Sequence, residues 1–178
     1  TNELVAAHIA VKMRLLDVVQ RYAVGDLSQD MDRLPGEKAV LSTTMDTAKA
    51  NLTAINCEIR RLVDAAAHGD FAVRGDAGRF EHEFRDMIDG LNRLMATTDG
   101  NLRQVSLLLQ TIARGDLTVR MHGDFHGVFA RMRDDANATV EQLTAIVGRI
   151  QSAADSISLA AGEIASGNSD LSRRTEQQ

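Results

Sequence analysis

Few residues in this 178-residue chain are both chemically capable and suitably spaced. His122 and His126 stand four apart, the spacing that aims two imidazoles from one helical face at a metal. Gly123 interrupts any helix there and no Cys or Glu completes a ligand set, so both read as solvated or bundle-edge residues. His8, His68 and His82 are isolated. Cys57 lies between the apolar Ile55 and Ile59 with no His/Asp constellation to activate a thiolate, so it reads as an inert helical thiol. Asp134–Asp135 and the Glu81/Glu83 pair have the residue types of acid/base couples, but on an exposed helical face solvation is the default, as it is for Arg60, Arg61 and Asp64. The Gly-Asp repeats invite a phosphate-cradling reading, yet no strand pattern precedes them and no Gly-Lys-Ser follows. The sequence therefore predicts no catalytic centre, metal or cofactor, and a chain that is not an enzyme.

The Gly-Asp steps instead mark a repeat. Gly25-Asp26-Leu27, Gly69-Asp70-Phe71 and Gly115-Asp116-Leu117 recur 44 and 46 residues apart. Before each lies an apolar stripe spaced by threes and fours: Val11, Leu15, Val18 and Tyr22; then Ile55, Ile59, Leu62 and Ala66; then Leu102, Val105, Leu108 and Ile112. Such spacing is one face of an amphipathic helix, and a following Gly suits its C-terminus. After each step comes a polar connector of about a dozen residues, long enough for two parallel helices where an antiparallel pair needs only a few. Leu27, Phe71 and Leu117 are candidate pins of the connectors onto the helices, with Met31, Val73 and Val119 or Met121 as second pins. Phe80 and Phe84 match Phe125 and Phe129 at the start of the returning helices. Asp76 and Asp124 stand at N-cap positions, and Leu34-Pro35-Gly36-Glu37 breaks the chain before the first returning helix.

Composition agrees. Aromatics are 3%, Pro and Cys occur once and Trp never, while hydrophobic residues reach 44%; a β-sandwich or a disulfide-framed domain is excluded in favour of helices. A net charge of −5 excludes an electrostatic nucleic-acid binder. No apolar run approaches the roughly 20 residues of a membrane helix, no signal-peptide pattern follows Thr1, and the chain reads as a water-soluble piece of something longer. The stripes run through the repeat boundaries: Leu41, Met45, Ala48, Leu52, Ile55, Ile59, Leu62 and Ala66 form one seam; Phe84, Ile88, Leu91, Met95, Thr98, Leu102, Val105, Leu109 and Ile112 form another. A third runs from Phe129 through Met132, Ala136, Thr139, Leu143, Ile146, Ile150, Ile157 and Ile164 to Leu171. The second helix of one copy thus becomes the first of the next. Stripes of that length need a partner, and a homodimer is the simplest symmetric one.

Two parallel amphipathic helices joined by a connector opening with Gly-Asp-Leu resemble the HAMP signal-relay module of bacterial receptors. The third copy, with Gly-Asp-Leu-Thr-Val-Arg from Gly115 and Asp-Asp-Ala-Asn-Ala-Thr-Val from Asp134, is the clearest match. The stretch from Ile164 to Gln178 is similar to the start of the adaptation helix of methyl-accepting chemotaxis proteins. The resemblance implies an all-α fold: an elongated parallel homodimeric coiled coil of three stacked HAMP four-helix bundles, continuing into a signalling helix. It implies units at 1–51, 52–98 and 99–150, with residues 151–178 opening the adaptation coiled coil and helices shared across the boundaries. The expected bundle core is Leu15, Val18, Leu52, Ile55, Ile59, Leu62, Phe84, Ile88, Leu91, Leu102, Val105, Ile112, Phe129, Met132 and Leu143. Glu176 and Gln177, the latter after deamidation, fall where the first methylation pair would lie. The implied partners are a second copy, an upstream sensor, an adaptor and histidine kinase reached through a hairpin tip beyond this sequence, and the adaptation methyltransferase and methylesterase; the implied location is the cytoplasmic part of a receptor anchored in the bacterial inner membrane. A relay of a sensor histidine kinase or cyclase, and a passive coiled-coil spacer, are the competing readings.

Overall fold

The computed structural model describes residues 2–177, with side chains described from Val5 onward. Among the described residues there are four α-helices: α1 (Asn2–Ala23), α2 (Ala39–Ala67), α3 (His82–Ala113) and α4 (Val128–Glu176). Single 3-10 turns at Gly36–Lys38 and Ala77–Arg79 precede α2 and α3, and there is no strand among the described residues. No helix of the described residues is long and apolar enough to cross a membrane. The chain divides into two compact units, Thr1–Thr98 and Asp99–Gln178.

The three connectors each enclose a small core. Val18, Tyr22, Met31 and Met45 form the first, against Val11, Leu15, Leu27, Leu34 and Leu52. Ile55, Leu62, Phe80 and Ile88 form the second, against Ile59, Val73, Phe84 and Leu91. Leu108, Met121, Phe125 and Val140 form the third, against Val105, Ile112, Leu117, Val119, Phe129 and Ala136. The first two lie in the first compact unit and the third in the second.

Polar contacts fix the chain direction within each motif. Near the start of the first connector the Tyr22 hydroxyl and the Lys49 ammonium both reach the Gln29 carbonyl; near its end Arg14 faces Asp32 and the Ser42 hydroxyl donates to the Asp32 carbonyl. Moving back along both helices moves forward along the connector, so α1 and the start of α2 run parallel and the connector returns between them. In the third motif α4 meets the connector in the same reversed order, Thr144 on Leu117, Asn137 on Met121 and Arg133 on Gly123.

Several side chains differ from the sequence expectation. Asp124 caps no helix: α4 starts after Gly127, and Asp124 is exposed beside His126 at 3.7 Å. Asp76 does cap, but it accepts from the Gly78 amide of the 3-10 turn and not from α3. In the second seam Leu108 fills the third core while Leu109 is 59% exposed. Of the second pins, Met31 and Met121 are buried, whereas Val73 and Val119 are half-buried.

Candidate functional site

The Gly-Asp steps at Gly25, Gly69 and Gly115 each perform two local tasks. The glycines close the helices with left-handed φ of 84°, 80° and 87° at Gly25, Gly69 and Gly115. This conformation directs two amides back to orphan carbonyls: Gly25 N–H to Tyr22 and Asp26 N–H to Arg21, Gly69 to Ala66 and Asp70 to Ala65, Gly115 to Ile112 and Asp116 to Thr111. That is the Schellman closure, which a residue with a Cβ adopts only under strain. The aspartate then starts the connector by accepting the amide two residues on, from Ser28 at 3.0 Å, Ala72 at 3.1 Å and Thr118 at 2.9 Å. Asp26 and Asp116 are held below the usual carboxylate range chiefly by hydrogen bonds from Ser28 and Thr118. Leu27, Phe71 and Leu117 then turn inward and are half-buried.

Beyond the apolar pins, the connectors are held by contacts the hydrophobic pattern did not reveal. The Asn92 side chain accepts the Gly75 N–H at 2.7 Å and donates to the Gly75 carbonyl at 2.9 Å. Asn137 repeats this on Met121, at 2.8 and 3.0 Å. An amide satisfies both backbone groups of one residue, which a hydrocarbon side chain cannot. Gly75 and Met121 stand six places after their helix-ending glycines, as does Met31. At the second site the missing methionine volume is filled from α3, where Ile88 is fully buried. At the third, Met121 is buried and the equivalent position, four before the clamping Asn, is Arg133, whose guanidinium covers the Phe125 ring at 5.9 Å.

A nearly buried charge on α2 holds the second connector. Glu58, 6% exposed, accepts from Arg61 at 2.7 Å and from the Asp76 amide at 2.9 Å. Arg61 also donates to the Arg74 carbonyl at 2.7 Å. The Arg61 hydrogen bond, followed by the Asp76 amide, holds the Glu58 carboxyl below its ordinary range.

Of the expected core residues, Val18, Ile55, Leu62 and Ile88 are buried; Leu15, Leu52, Ile59, Phe84, Leu91, Val105, Ile112, Phe129, Met132 and Leu143 are half-buried. Leu102 is 40% exposed in one chain. From Thr144 onward the described part of α4 is exposed, including Ile150, Ile157, Ile164, Leu171, Glu176 and Gln177. No group of three metal-ligating side chains occurs among the described residues. A depression of about 510 Å³ beside the start of α3 is lined by Asn51, Arg79 and Phe80 to Phe84, with charges of both signs.

Known families and proteins are similar to this chain in sequence. Residues 11–53 match the family model described as HAMP N-terminal domain 3, and residues 79–145 match the HAMP domain. The chain is a HAMP region. Over 103 residues, 58% of this HAMP chain, it is 46% identical to the methyl-accepting chemotaxis protein McpB of Pseudomonas aeruginosa. That stretch is 15% of the relative's length. The two HAMP matches take in the first and third connectors, with Asp26, Leu27, Asp116 and Leu117, and also both clamping asparagines.

Proposed function

We propose that this HAMP chain relays conformational change within a bacterial chemoreceptor, from an upstream sensor to a downstream coiled coil that controls a kinase. The observation that carries the reading is the sharing of helices between successive cores. Unbroken α2 gives Met45 to the first core and Ile55 and Leu62 to the second; α3 gives Ile88 to the second and Leu108 to the third. A rotation or tilt that repacks one core therefore changes the phase at which its helix enters the next. Seams of Ala, Thr, Met and β-branched residues support two packings a few kcal/mol apart. No catalytic step is involved.

The working unit in this proposal is a parallel homodimer of three four-helix bundles, divided at 1–51, 52–98 and 99–150. Residues 151–178 open the adaptation coiled coil, and Glu176 and Gln177 are the first methylation pair. The exposed stripe Ile150, Ile157, Ile164 and Leu171 repeats every seven residues, the spacing of a two-stranded seam. The kinase, its adaptor, the adaptation enzymes and a membrane anchor belong to the rest of the receptor.

Leu102→Glu tests the reading. Because Leu102 is exposed in one chain, the change leaves each chain helical but places like charges in the dimer seam. Light scattering is expected to give twice 19.4 kDa for the wild type and a lower mass for the variant. The same change in the intact receptor is expected to abolish the stimulus response. A monomeric wild type overturns the homodimer; a dimer whose receptor signals normally with the change leaves only the passive spacer.

A further inference from the structure

The first connector is held differently from the other two. Asp46 occupies the register of Asn92 and Asn137. It follows a residue packed on the core (Met45, as Leu91 and Ala136 do), and three residues later stands Lys49, where Met95 and Val140 are buried. An ionised carboxylate has no N–H to give a connector carbonyl, so it cannot make the two-way clamp. Among the described residues, no side chain makes the corresponding pair of bonds to Met31.

Charges take the clamp's place. Lys49, half-buried, brings its ammonium to Asp30 at 2.7 Å and to the Gln29 carbonyl at 3.3 Å. Asp46 pairs with Arg33. From the opposite flank Arg14, itself paired with Asp17, donates to the Asp30 carbonyl at 3.0 Å and lies 3.7 Å from Asp32. Lys49 is held above and Asp30 below their ordinary ranges, each by the other's hydrogen bond. The carboxylates of Asp30 and Asp32 and the Arg33 guanidinium are open to solvent, so mobile ions reach these pairs. Tyr22 and Ser42 fix the ends of the segment with neutral hydrogen bonds. The ion pairs hold the side chains of Asp30, Asp32 and Arg33 between and beside these neutral bonds.

We propose that the first connector is an electrostatic latch opened by monovalent salt, in a chain whose second and third connectors carry neutral amide clamps, the second reinforced by the nearly buried Glu58–Arg61 pair. Exposed ion pairs weaken as the screening length falls from about 10 Å at 0.1 M to about 3 Å at 1 M ionic strength. A half-buried amide clamp carries no net charge, and the Glu58–Arg61 pair is screened less than an exposed one because Glu58 is nearly buried. The first core is then the one whose packing follows the ionic strength around it, whatever the chain's place in a receptor.

Hydrogen exchange on the purified chain tests this in about 0.1 M and about 1 M potassium chloride. Exchange across residues 28–34 is expected to rise about three- to five-fold relative to residues 118–126, the scale on which exposed pairs act. It is also expected to rise by more than that of residues 72–79, whose ion pair is nearly buried. The double variant Asp46→Asn/Lys49→Met is expected to bring residues 28–34 into line with the other connectors. An equal salt response in all three wild-type connectors, or an unchanged salt response in a folded double variant, overturns the proposal. Should the double variant fail to fold, the wild-type comparison decides alone.

Discussion

Adding one methyl group at Gly75 tests how tightly the second motif is closed. A Cβ there would lie 2.7 Å from Ile88 Cγ2, 3.0 Å from Leu62 Cδ1 and 3.3 Å from Glu58 Oε1. None of these neighbours has slack: Ile88 and Leu62 are sealed in the core, and Glu58 is tied to Arg61 and the Asp76 amide. Gly75 is outside the left-handed region, so the penalty is one of packing alone. Overpacking costs about 1–3 kcal/mol. Restricting the unfolded chain returns about 0.4–1 kcal/mol. Gly75→Ala should therefore destabilise by about 1–2 kcal/mol, the packing term winning over the entropy term. Ile88→Ala removes the colliding Cγ2 and by itself costs about 2–5 kcal/mol. In the double variant the new methyl enters space Ile88 has vacated, so the two costs should fall short of additive by about 1 kcal/mol. Urea unfolding followed by far-ultraviolet circular dichroism, at one protein concentration, measures all four corners of the cycle. A neutral Gly75→Ala, or costs that add within about 0.5 kcal/mol, would refute the close approach as a determinant of this core.

Three further outcomes are expected. Asn137→Ala removes both bonds to Met121 and strands its backbone groups, lowering stability by about 2 kcal/mol or more, while Asn137→Asp keeps the acceptor and costs less; equal unfolding midpoints for the three proteins would contradict the clamp. Because the folded carboxyl of Glu58 lies below its ordinary value of 4.5, its contribution is complete above that pH and disappears as the pH falls through the folded value. The stability advantage of the wild type over Glu58→Gln should thus be constant near neutrality and shrink below about pH 4.5, and a pH-independent gap in acid titrations would reject the assignment. His82 holds a φ of 47° without being glycine, so His82→Gly should raise stability by about 1 kcal/mol in the same unfolding assay.

The elements were legible because their signals are periodic. Threes and fours of apolar residues specify helices, and the Gly-Asp steps at Gly25, Gly69 and Gly115 stand where helices end. Val18, Ile55, Leu62 and Ile88 followed from that pattern alone. Asn92, Asn137 and Ser42 did not, because a polar side chain beside an apolar stripe looks like a solvated one until its backbone partner in the connector is known. The shared placement of Asn92 and Asn137, just after a core residue and four after Ile88 and Arg133, is the signal that a repeat alignment could have used. Glu58 was hidden for the same reason, within a run of charges next to Arg60 and Arg61. The choice between Leu108 and Leu109 turned on one residue of helical phase, about 100° around the axis, which neighbouring leucines leave undetermined. Asp124 has the residue type of a cap, but the chain continues to Gly127 before the helix begins.

The exchange of bulk between Gly75 with Ile88 and Met121 with Arg133 bears on how such repeats can be recombined. A chimera that borrows a connector without its downstream helix would force methionine and isoleucine into one space, or leave glycine facing an arginine and a void. Crossover points that preserve folding should therefore fall inside the long helices, after the clamping asparagine, with connector and receiving helix inherited as one cassette. Gene fusions cut elsewhere would give mismatched interiors even where every helix is intact.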